Sequence, residues 1–241
     1  MNQTNVTELK ETLKNCRLFN GLTDNELNDV LLLAHQRVLA PSKFLFHQGE
    51  HAHSFYIVTS GKIKLTQLTP EGHQVIIRYV GKGGAIGILA ALGDFPYPVS
   101  GESVESCELL LWHEKDITRL MTRVPQLAIN GMKMLARRFA DMMDRYRELA
   151  TERVERRIAR ALLRLTKQSG RKTEHGILID LPLTRRDLAE MTGTTLYTVS
   201  RILSGWEQKG YVKTGRGQVT ICSPHAMAKI AEDLPEGKIN L

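Results

Sequence analysis

The hydrophobic period of the chain changes twice. Residues 5–35 carry apolar positions at helical spacing. Within them Leu22-Thr23-Asp24-Asn25-Glu26-Leu27 supplies a cap residue and an acidic first turn ahead of Val30, Leu31, Leu32 and Leu33, the start signal of a helix. Over residues 36–111 the pattern becomes short apolar or alternating runs: RVLA, KFLFHQ, SFYIVTS, KIKLTQL, QVIIRYV and CELLLW. Turn signals separate them at Pro41-Ser42, Gly49-Glu50, Ser60-Gly61, Pro70-Glu71-Gly72 and Gly81-Lys82-Gly83-Gly84. Many short strands spaced in this way predict a β-sandwich or barrel, here an antiparallel, jelly-roll-like β-roll.

After Trp112 the helical period returns. A short helix is expected over residues 115–121, and Pro125 opens the next helix, where its missing N–H costs nothing. Leu135, Phe139, Met142, Tyr146 and Leu149 follow one another at spacings of 4, 3, 4 and 3, a heptad seam, and Ala128 and Met132 extend it backwards. About 25 residues of helix would be roughly 38 Å long. Such a stripe either joins two copies of the chain or packs on its own domain. The expectation adopted is a dimer interface of Met132, Leu135, Phe139, Met142, Tyr146 and Leu149. Met132, Met134, Met142 and Met143 would make that surface adaptable. Thr151 begins a further predicted helix, TERVERRIARALLRLTKQSG, with Val154, Ile158, Ala161, Leu162 and Leu165 as its buried stripe; Gly170 and the polar run SGRKTEHG end it.

Residues 181–222 carry the most specific pattern. Thr184-Arg185-Arg186-Asp187 reads as a capping box, with a first helix running to about Met191. Gly193 can adopt positive φ and break the chain, and Thr194 or Thr195 caps a second helix reaching about Lys209. Val199, Ile202, Leu203 and Trp206 form the buried face of that helix, and Thr194, Tyr197, Thr198, Arg201 and Ser204 the opposite one. Ala189 permits close helix approach, Gly193 makes the turn and Val199 packs between the helices, the steric signature of a helix-turn-helix. Tyr211-Val212-Lys213 and Gln218-Val219-Thr220-Ile221 then flank Thr214-Gly215-Arg216-Gly217, a hairpin with a basic tip. At that tip Arg216 is either a phosphate contact or a solvated turn residue. The fold class is therefore α+β: a β-roll over residues 1–124, a long helix over 125–150, a winged helix-turn-helix over 151–223 and a tail over 224–241.

Charge sharpens this division. The 241 residues carry a formal net charge of +7, with 12 basic and 13 acidic side chains in residues 1–125, 5 and 3 in residues 126–150, and 16 and 10 in residues 151–241. A basic module attached to a near-neutral one points to an anionic partner for that module, most simply nucleic acid, or else to a solvated basic face. The longest apolar stretch, residues 85–92, is too short to span a bilayer, and the polar N-terminus MNQTNVTELKE lacks a secretory pattern. Cys16, Cys107 and Cys222 are odd in number and lack metal spacing, which excludes a disulfide framework and suggests a reducing cytoplasm. No HExxH, P-loop or GxGxxG-before-helix pattern is present, so an enzyme is not expected.

The blocks KFLFHQGEHAHSFYIVTSGKIKL, VERRIARALLRL and LTRRDLAEMTGTTLYTVSRILSGWEQKGYV resemble the Crp/Fnr family of bacterial transcription regulators, over about residues 15–222. The resemblance implies a sensor roll, a dimerisation helix and a winged helix-turn-helix whose second helix enters the major groove. A two-fold dimer would then read half-sites about one turn, roughly 34 Å, apart. It places Arg201 on the family's guanine-reading arginine, which can donate two bonds to O6 and N7, Ser200 on a base-proximal position and Arg185 on a phosphate contact. Tyr197 departs from the glutamate of many members, which accepts from cytosine N4; tyrosine could meet a thymine methyl or a phosphate, so an altered inner half-site is expected. The DNA-binding set is Thr184, Arg185, Thr195, Tyr197, Thr198, Ser200, Arg201 and Arg216. RNA polymerase is the implied further partner. A non-DNA signalling or interaction protein built on the same roll is the alternative.

The family also frames the effector. Its cyclic-nucleotide members carry a Gly-Glu followed by an Arg-Ser or Arg-Thr pair; here the stretch reads Gly87-Ile88-Leu89, then Pro96-Tyr97-Pro98-Val99-Ser100. Neither charged group is present, so cAMP is not expected. Iron–sulfur members need four cysteines, mostly near the N-terminus, where only Cys16 lies. Haem, another small molecule or gas, or no ligand at all remain. Haem would need an axial ligand from among His35, His47, His51, His53, His73 and His113, none with diagnostic spacing. His51-Ala52-His53 is expected to form an exposed turn. The recognition segment TGTTLYTVSRILSGWE is similar to the nitric-oxide and denitrification branches, which favours haem-mediated nitric-oxide sensing over an unknown metabolite. The candidate pocket is Gly84, Ile86, Gly87, Ile88 and Leu89.

Overall fold

The computed structural model describes residues 3–89 and 93–232. They form two compact units that divide between Asp141 and Met142.

The first unit opens with helix α1 (Gln3–Lys14), a 3-10 turn (Arg17–Phe19) and α2 (Asp24–Leu32). The α2 start is a reciprocal cap: Glu26 N–H donates to Thr23 Oγ1 at 3.3 Å and Thr23 N–H donates to the Glu26 carboxylate at 2.7 Å, satisfying two otherwise orphan donors. Eight strands follow: β1 (His35–Leu39), β2 (Phe44–Phe46), β3 (Ser54–Ser60), β4 (Ile63–Leu68), β5 (Gln74–Val80), β6 (Ala85–Ile86), β7 (Ser100–Ser103) and β8 (Cys107–His113). They pair antiparallel in two sheets, ordered β1-β8-β3-β6 and β2-β7-β4-β5. Strand β3 is buried from Ser54 to Thr59, so its run of apolar residues does not alternate. Phe46, Tyr56, Val58, Ile63, Ile86, Tyr97 and Leu109 form one core. Leu13, Leu18, Phe19, Phe55, Ile57, Trp112 and Leu127 form a second core on the helical side.

Two strands lie where the apolar pattern marked none. Strand β7, SGES, carries no apolar side chain, and Phe46 sits on its glycine: a Cβ on Gly101 would stand 3.1 Å from Phe46 Cζ. Its Ser103 hydroxyl is tied to the loop before β2, accepting from Lys43 N–H at 2.9 Å and donating to Ala40 O at 2.5 Å. Strand β6 has two residues and stops at Gly87, with φ +74, where a Cβ would lie 2.6 Å from Ser54 O. Helix α3 (Glu114–Arg123) and helix α4 (Pro125–Thr151) follow. Trp112 Nε1–H donates to Val30 O at 2.8 Å, and Asn130 Nδ2 donates to Leu18 O at 2.9 Å and Asn20 O at 2.8 Å. These bonds lock β8 and α4 to the N-terminal helices.

The second unit holds α5 (Val154–Ser169), β9 (Gly170–Thr173), β10 (Gly176–Ile179), α6 (Arg185–Thr192), α7 (Leu196–Gln208), β11 (Val212–Gly215), β12 (Gln218–Ile221) and α8 (Pro224–Glu232). Its sheet runs β11-β12-β10-β9. Three expectations are corrected. Thr151 closes α4 rather than opening α5; its hydroxyl bonds back to Arg147 O at 2.8 Å, and the next helix starts after Arg153, which holds the N-cap position in extended conformation. The polar run SGRKTEHG is no loop but supplies β9 and the start of β10, because backbone pairing through Thr173 and Gly176 needs no apolar side chain. Residues 224–232 are not a tail but a helix, with Met227 and Ala231 buried; residues 233–241 lie outside the described residues.

Candidate nucleic-acid interface and sensor

Helix α6 begins on a second reciprocal cap. Asp187 N–H donates to Thr184 Oγ1 at 3.1 Å, and Thr184 N–H donates to the Asp187 carboxylate at 2.8 Å. It ends at Gly193, with φ 60 and ψ 49, a left-handed residue that glycine adopts without strain. Thr195, not Thr194, caps α7, its Oγ1 accepting from Thr198 N–H at 3.2 Å. Ala189, Val199, Leu203 and Trp206 are buried and Ile202 half-buried, so α7 is pinned by one face. The opposite face carries Tyr197, Arg201 and Ser204 exposed and Thr194, Thr198 and Ser200 half-buried. Tyr197 is 76% exposed, which a ring of this size adopts at an apolar cost that only a partner recovers.

Arg185 and Thr184 line a concavity of about 500 Å³ with Arg186, Leu196 and Thr214 at the base of the β11–β12 wing. Arg185 Nη2 is 3.4 Å from Thr214 Oγ1. The Glu207 carboxylate at the end of α7 accepts from Thr214 N–H at 2.5 Å and from Thr214 Oγ1 at 2.8 Å, and that backbone bond holds its carboxyl below the usual range. Glu207 thereby fixes the wing to α7. Arg216 is exposed at the wing tip, beside Gly217 at φ +68. Sequence reading missed Glu207 and also Arg157, whose guanidinium donates to Thr192 O at 3.0 Å and Gly193 O at 3.3 Å. Arg157 thus caps the end of α6 from 35 residues away, a pairing that leaves no local signal.

On α4, Met132, Phe139, Met142, Tyr146 and Leu149 are exposed, as are Ile129 and Met143. Leu135 differs: it is half-buried against the helical-side core of its own unit, although exposed Met132 precedes it and exposed Phe139 follows it. Seven of the fifteen exposed large hydrophobic side chains among the described residues lie on this helix, too concentrated for random surface scatter.

In the sensor, Ile86 and Ile88 are 2% and 3% exposed and belong to the two cores, while Gly84, Gly87 and Leu89 are half-buried. The Ala85 carbonyl accepts from Arg78 Nη2 at 3.0 Å and Arg138 Nη2 at 2.7 Å, and burial pushes the Arg138 pKa down. Tyr97 stacks on Phe46 at 3.8 Å and its hydroxyl donates to Ser54 O at 2.6 Å; burial pushes the phenol up. Ser100 Oγ accepts from Gln48 N–H at 2.9 Å. Where a cyclic-nucleotide site would set a carboxylate and a guanidinium, residues 87–89 and 96–100 set a buried isoleucine, a buried tyrosine and an engaged hydroxyl. None of the six sensor histidines is buried, so an axial imidazole from this chain would leave haem in water; these residues do not fit a histidine-ligated haem. Among the described residues, His51, His53 and Glu114 alone gather as a group of three metal-ligating side chains, their ligand atoms within 4.8 Å of one another.

The roll, the capped helix pair and the wing together define a transcription regulator that joins a cyclic-nucleotide-binding-type domain to a DNA-binding helix-turn-helix. Residues 36–124 match the cyclic nucleotide-binding domain family and residues 156–230 the Crp-like helix-turn-helix domain family. The chain is 30% identical to the cyclic AMP receptor protein of Thermus thermophilus over 219 residues, 91% of this chain and 98% of that one. It is 25% identical to the anaerobic regulatory protein of Bacillus subtilis over 193 residues, 79% of this chain and 81% of that one. In structure it is similar to the Thermus thermophilus catabolite activator protein, with a TM-score of 0.53, 30% identity and coverage of 91% and 100%. It also matches the Xanthomonas campestris regulator CLP, described as c-di-GMP responsive, with a TM-score of 0.72 over 83% of this chain and 100% of that one at 20% identity. The chain belongs to the Crp/Fnr family of transcription regulators. Among the described residues no helix is long and apolar enough to cross a membrane.

Proposed function

We propose that the protein is a cytoplasmic homodimer that reads a two-fold symmetric duplex site and adjusts its affinity to a small effector. The observation that carries this reading is the exposed polar face of α7, held on a doubly capped helix pair, with the Arg201 side chain exposed on it. In the major groove the Arg201 guanidinium donates to guanine O6 and N7. Thr195, Tyr197, Thr198 and Ser200 face the same groove, and the Tyr197 ring takes a thymine methyl or a phosphate where relatives of this family place an acid. Thr184, Arg185 and Arg216 approach phosphates and set register rather than sequence. Met132, Phe139, Met142, Tyr146 and Leu149, with half-buried Leu135 among them, close the dimer.

The effector acts through residues 84–89, since the Ala85 carbonyl links that segment to Arg138 of α4. The T. thermophilus relative is named for cyclic AMP, but Ile88 and Tyr97 remove the charged pair that a cyclic phosphate and ribose need, so the effector is another small molecule. RNA polymerase is the further partner if the protein activates. The test is fluorescence anisotropy on selected duplexes at two salt concentrations. Log affinity falls steeply with log salt through counterion release, and Arg201→Ala costs about 1–3 kcal/mol on sites with the matched guanine but little on sites without it. Salt-independent binding, or unchanged sequence preference in Arg201→Ala, overturns the reading.

A further inference from the structure

One side-chain cluster plays no part in DNA reading, in the α4 stripe or in residues 84–89. His51 and His53 flank buried Ala52 in the connection between β2 and β3, and Glu114 is the first residue of α3. Their rings and carboxylate converge: the two imidazole centroids are 4.3 Å apart, and His51 Nε2 is 3.5 Å from Glu114 Oε2. The backbone under them is fixed on both sides. His51 bridges to Pro96, Ala52 N–H donates to Phe95 O at 3.0 Å, and Glu114 N–H donates to His53 O at 2.8 Å. The expected exposed turn is therefore a turn that sets both imidazoles beside one carboxylate, His51 facing it directly.

Asp94 completes the arrangement from the fourth side. Its Oδ1 stands 3.9 Å from His51 Nδ1, the ring nitrogen turned away from Glu114, and its backbone holds φ at +45, a left-handed conformation that aspartate adopts only at some cost. A carboxylate on the outer nitrogen of a ligating imidazole fixes its tautomer and orientation. We infer that His51, His53 and Glu114 form a binding site for a divalent transition-metal ion, with Asp94 as the outer carboxylate of His51.

The donor set selects the ion. Two imidazoles and a carboxylate suit Zn2+, Co2+ or Ni2+ better than Mg2+ or Ca2+, which take oxygen ligands, or Cu+, which takes thiolates. Zinc–nitrogen bonds of about 2.0–2.1 Å require the donors to close from their present spread of 4.8 Å, a movement within reach of side-chain rotation on a fixed backbone. One or two water molecules would fill the remaining positions, since Glu114 and His51 are each 36% exposed. The ion would join the β2–β3 connection to α3, and the site stands whether or not the proposed function holds.

The test uses the untagged full chain, stripped with a chelator and titrated with Co2+ while ligand-field absorption is recorded, then with Zn2+ as competitor. One Co2+ per chain is expected, displaced by Zn2+. His51→Ala and His53→Ala should each weaken binding by more than about tenfold, the lower bound for losing even an outer partner, and Glu114→Gln serves as a milder variant should either fail to fold. His35→Ala, which alters the separate His35–His113 pair with centroids 5.4 Å apart, should leave binding unchanged. Absence of saturable binding, affinities within about twofold of the parent in the ligand variants, or equal loss in His35→Ala overturns the site. DNA affinity measured on the same samples keeps failure of the metal site separate from failure of the regulatory reading.

Discussion

Replacing Phe139 by alanine tests the α4 stripe directly. The ring is 61% exposed, so of the roughly 200 Å² that a phenylalanine can bury, about 120 Å² is open on each chain. At about 25 cal/mol per Å² this is worth about 3 kcal/mol per chain, and a two-fold interface loses both copies at once. A partner helix covers only part of that surface and alanine keeps its Cβ, so the expected loss is about 2–4 kcal/mol of dimer. That range raises the dimer dissociation constant by roughly 30- to 1000-fold. Sedimentation of parent and variant over a wide concentration range reads the shift, and far-UV circular dichroism shows that the helix is retained. A parent that is monomeric at every accessible concentration, or a folded Phe139→Ala whose dimer constant matches the parent's, would refute the reasoning; Phe139 would then be surface apolar area without a partner.

Other substitutions separate the parts of the fold. Arg216→Ala should weaken DNA binding evenly across sequences and reduce the slope of log affinity against log salt by about one, because a lost phosphate contact releases about one counterion fewer; a change in sequence preference would contradict its assignment to a phosphate contact. Asn130→Ala removes the donor to both the Leu18 and Asn20 carbonyls and should cost about 1–3 kcal/mol in urea denaturation, with a null result meaning that water replaces the side chain. The Glu207 carboxyl is held below its usual range by Thr214, so it contributes stability above the unfolded value near about 4.3 that is lost as pH falls through the lower folded value. Stability of the parent should therefore drop more steeply in acid than that of Glu207→Gln, and parallel curves would remove Glu207 as the wing anchor.

The Thr184–Asp187 capping box was legible in the residues because its partners lie three positions apart; at Thr23 the cap and the acidic first turn were legible, and Glu26, also three positions on, closes a second box. The same holds for Gly193 and for the β11–β12 wing, whose turn chemistry is local. What was illegible depended on residues far away in the chain. Strand β7 carries no apolar side chain, and Phe46, more than 50 positions earlier, supplies the ring that its glycine must clear. The hairpin of β9 and β10 forms from a polar run because its order comes from pairing with β12, and α8 forms a helix by seating Met227 and Ala231 on α5. Leu135 followed the heptad count of its helix, but the core that receives it comes from other elements. In the sensor, an apolar, glycine-rich sequence reads equally well as a pocket or as a core, and here Ile86 and Ile88 pack in the two cores while Gly84, Gly87 and Leu89 are half-buried.

That distinction constrains how the regulator can respond. With Tyr97 stacked on Phe46 and Ile88 buried, an effector cannot enter the roll along residues 84–89 without displacing packed side chains or the bond from Arg138 to the Ala85 carbonyl. The second route is cheaper, because an acceptor supplied by the ligand could replace the carbonyl while Arg78 still satisfies it. A ligand that bound with and without that exchange equally well would shift nothing; one that required it would change what α4 feels at Arg138, one residue before Phe139 of the exposed stripe. Under the proposed function the coupling is reciprocal in free energy, so whatever factor an effector adds to the affinity for DNA, DNA must add to the affinity for that effector. Arg138→Lys keeps the charge but alters the geometry of that one bond, and should therefore reduce the shared factor while leaving DNA binding in the absence of effector near its parent value.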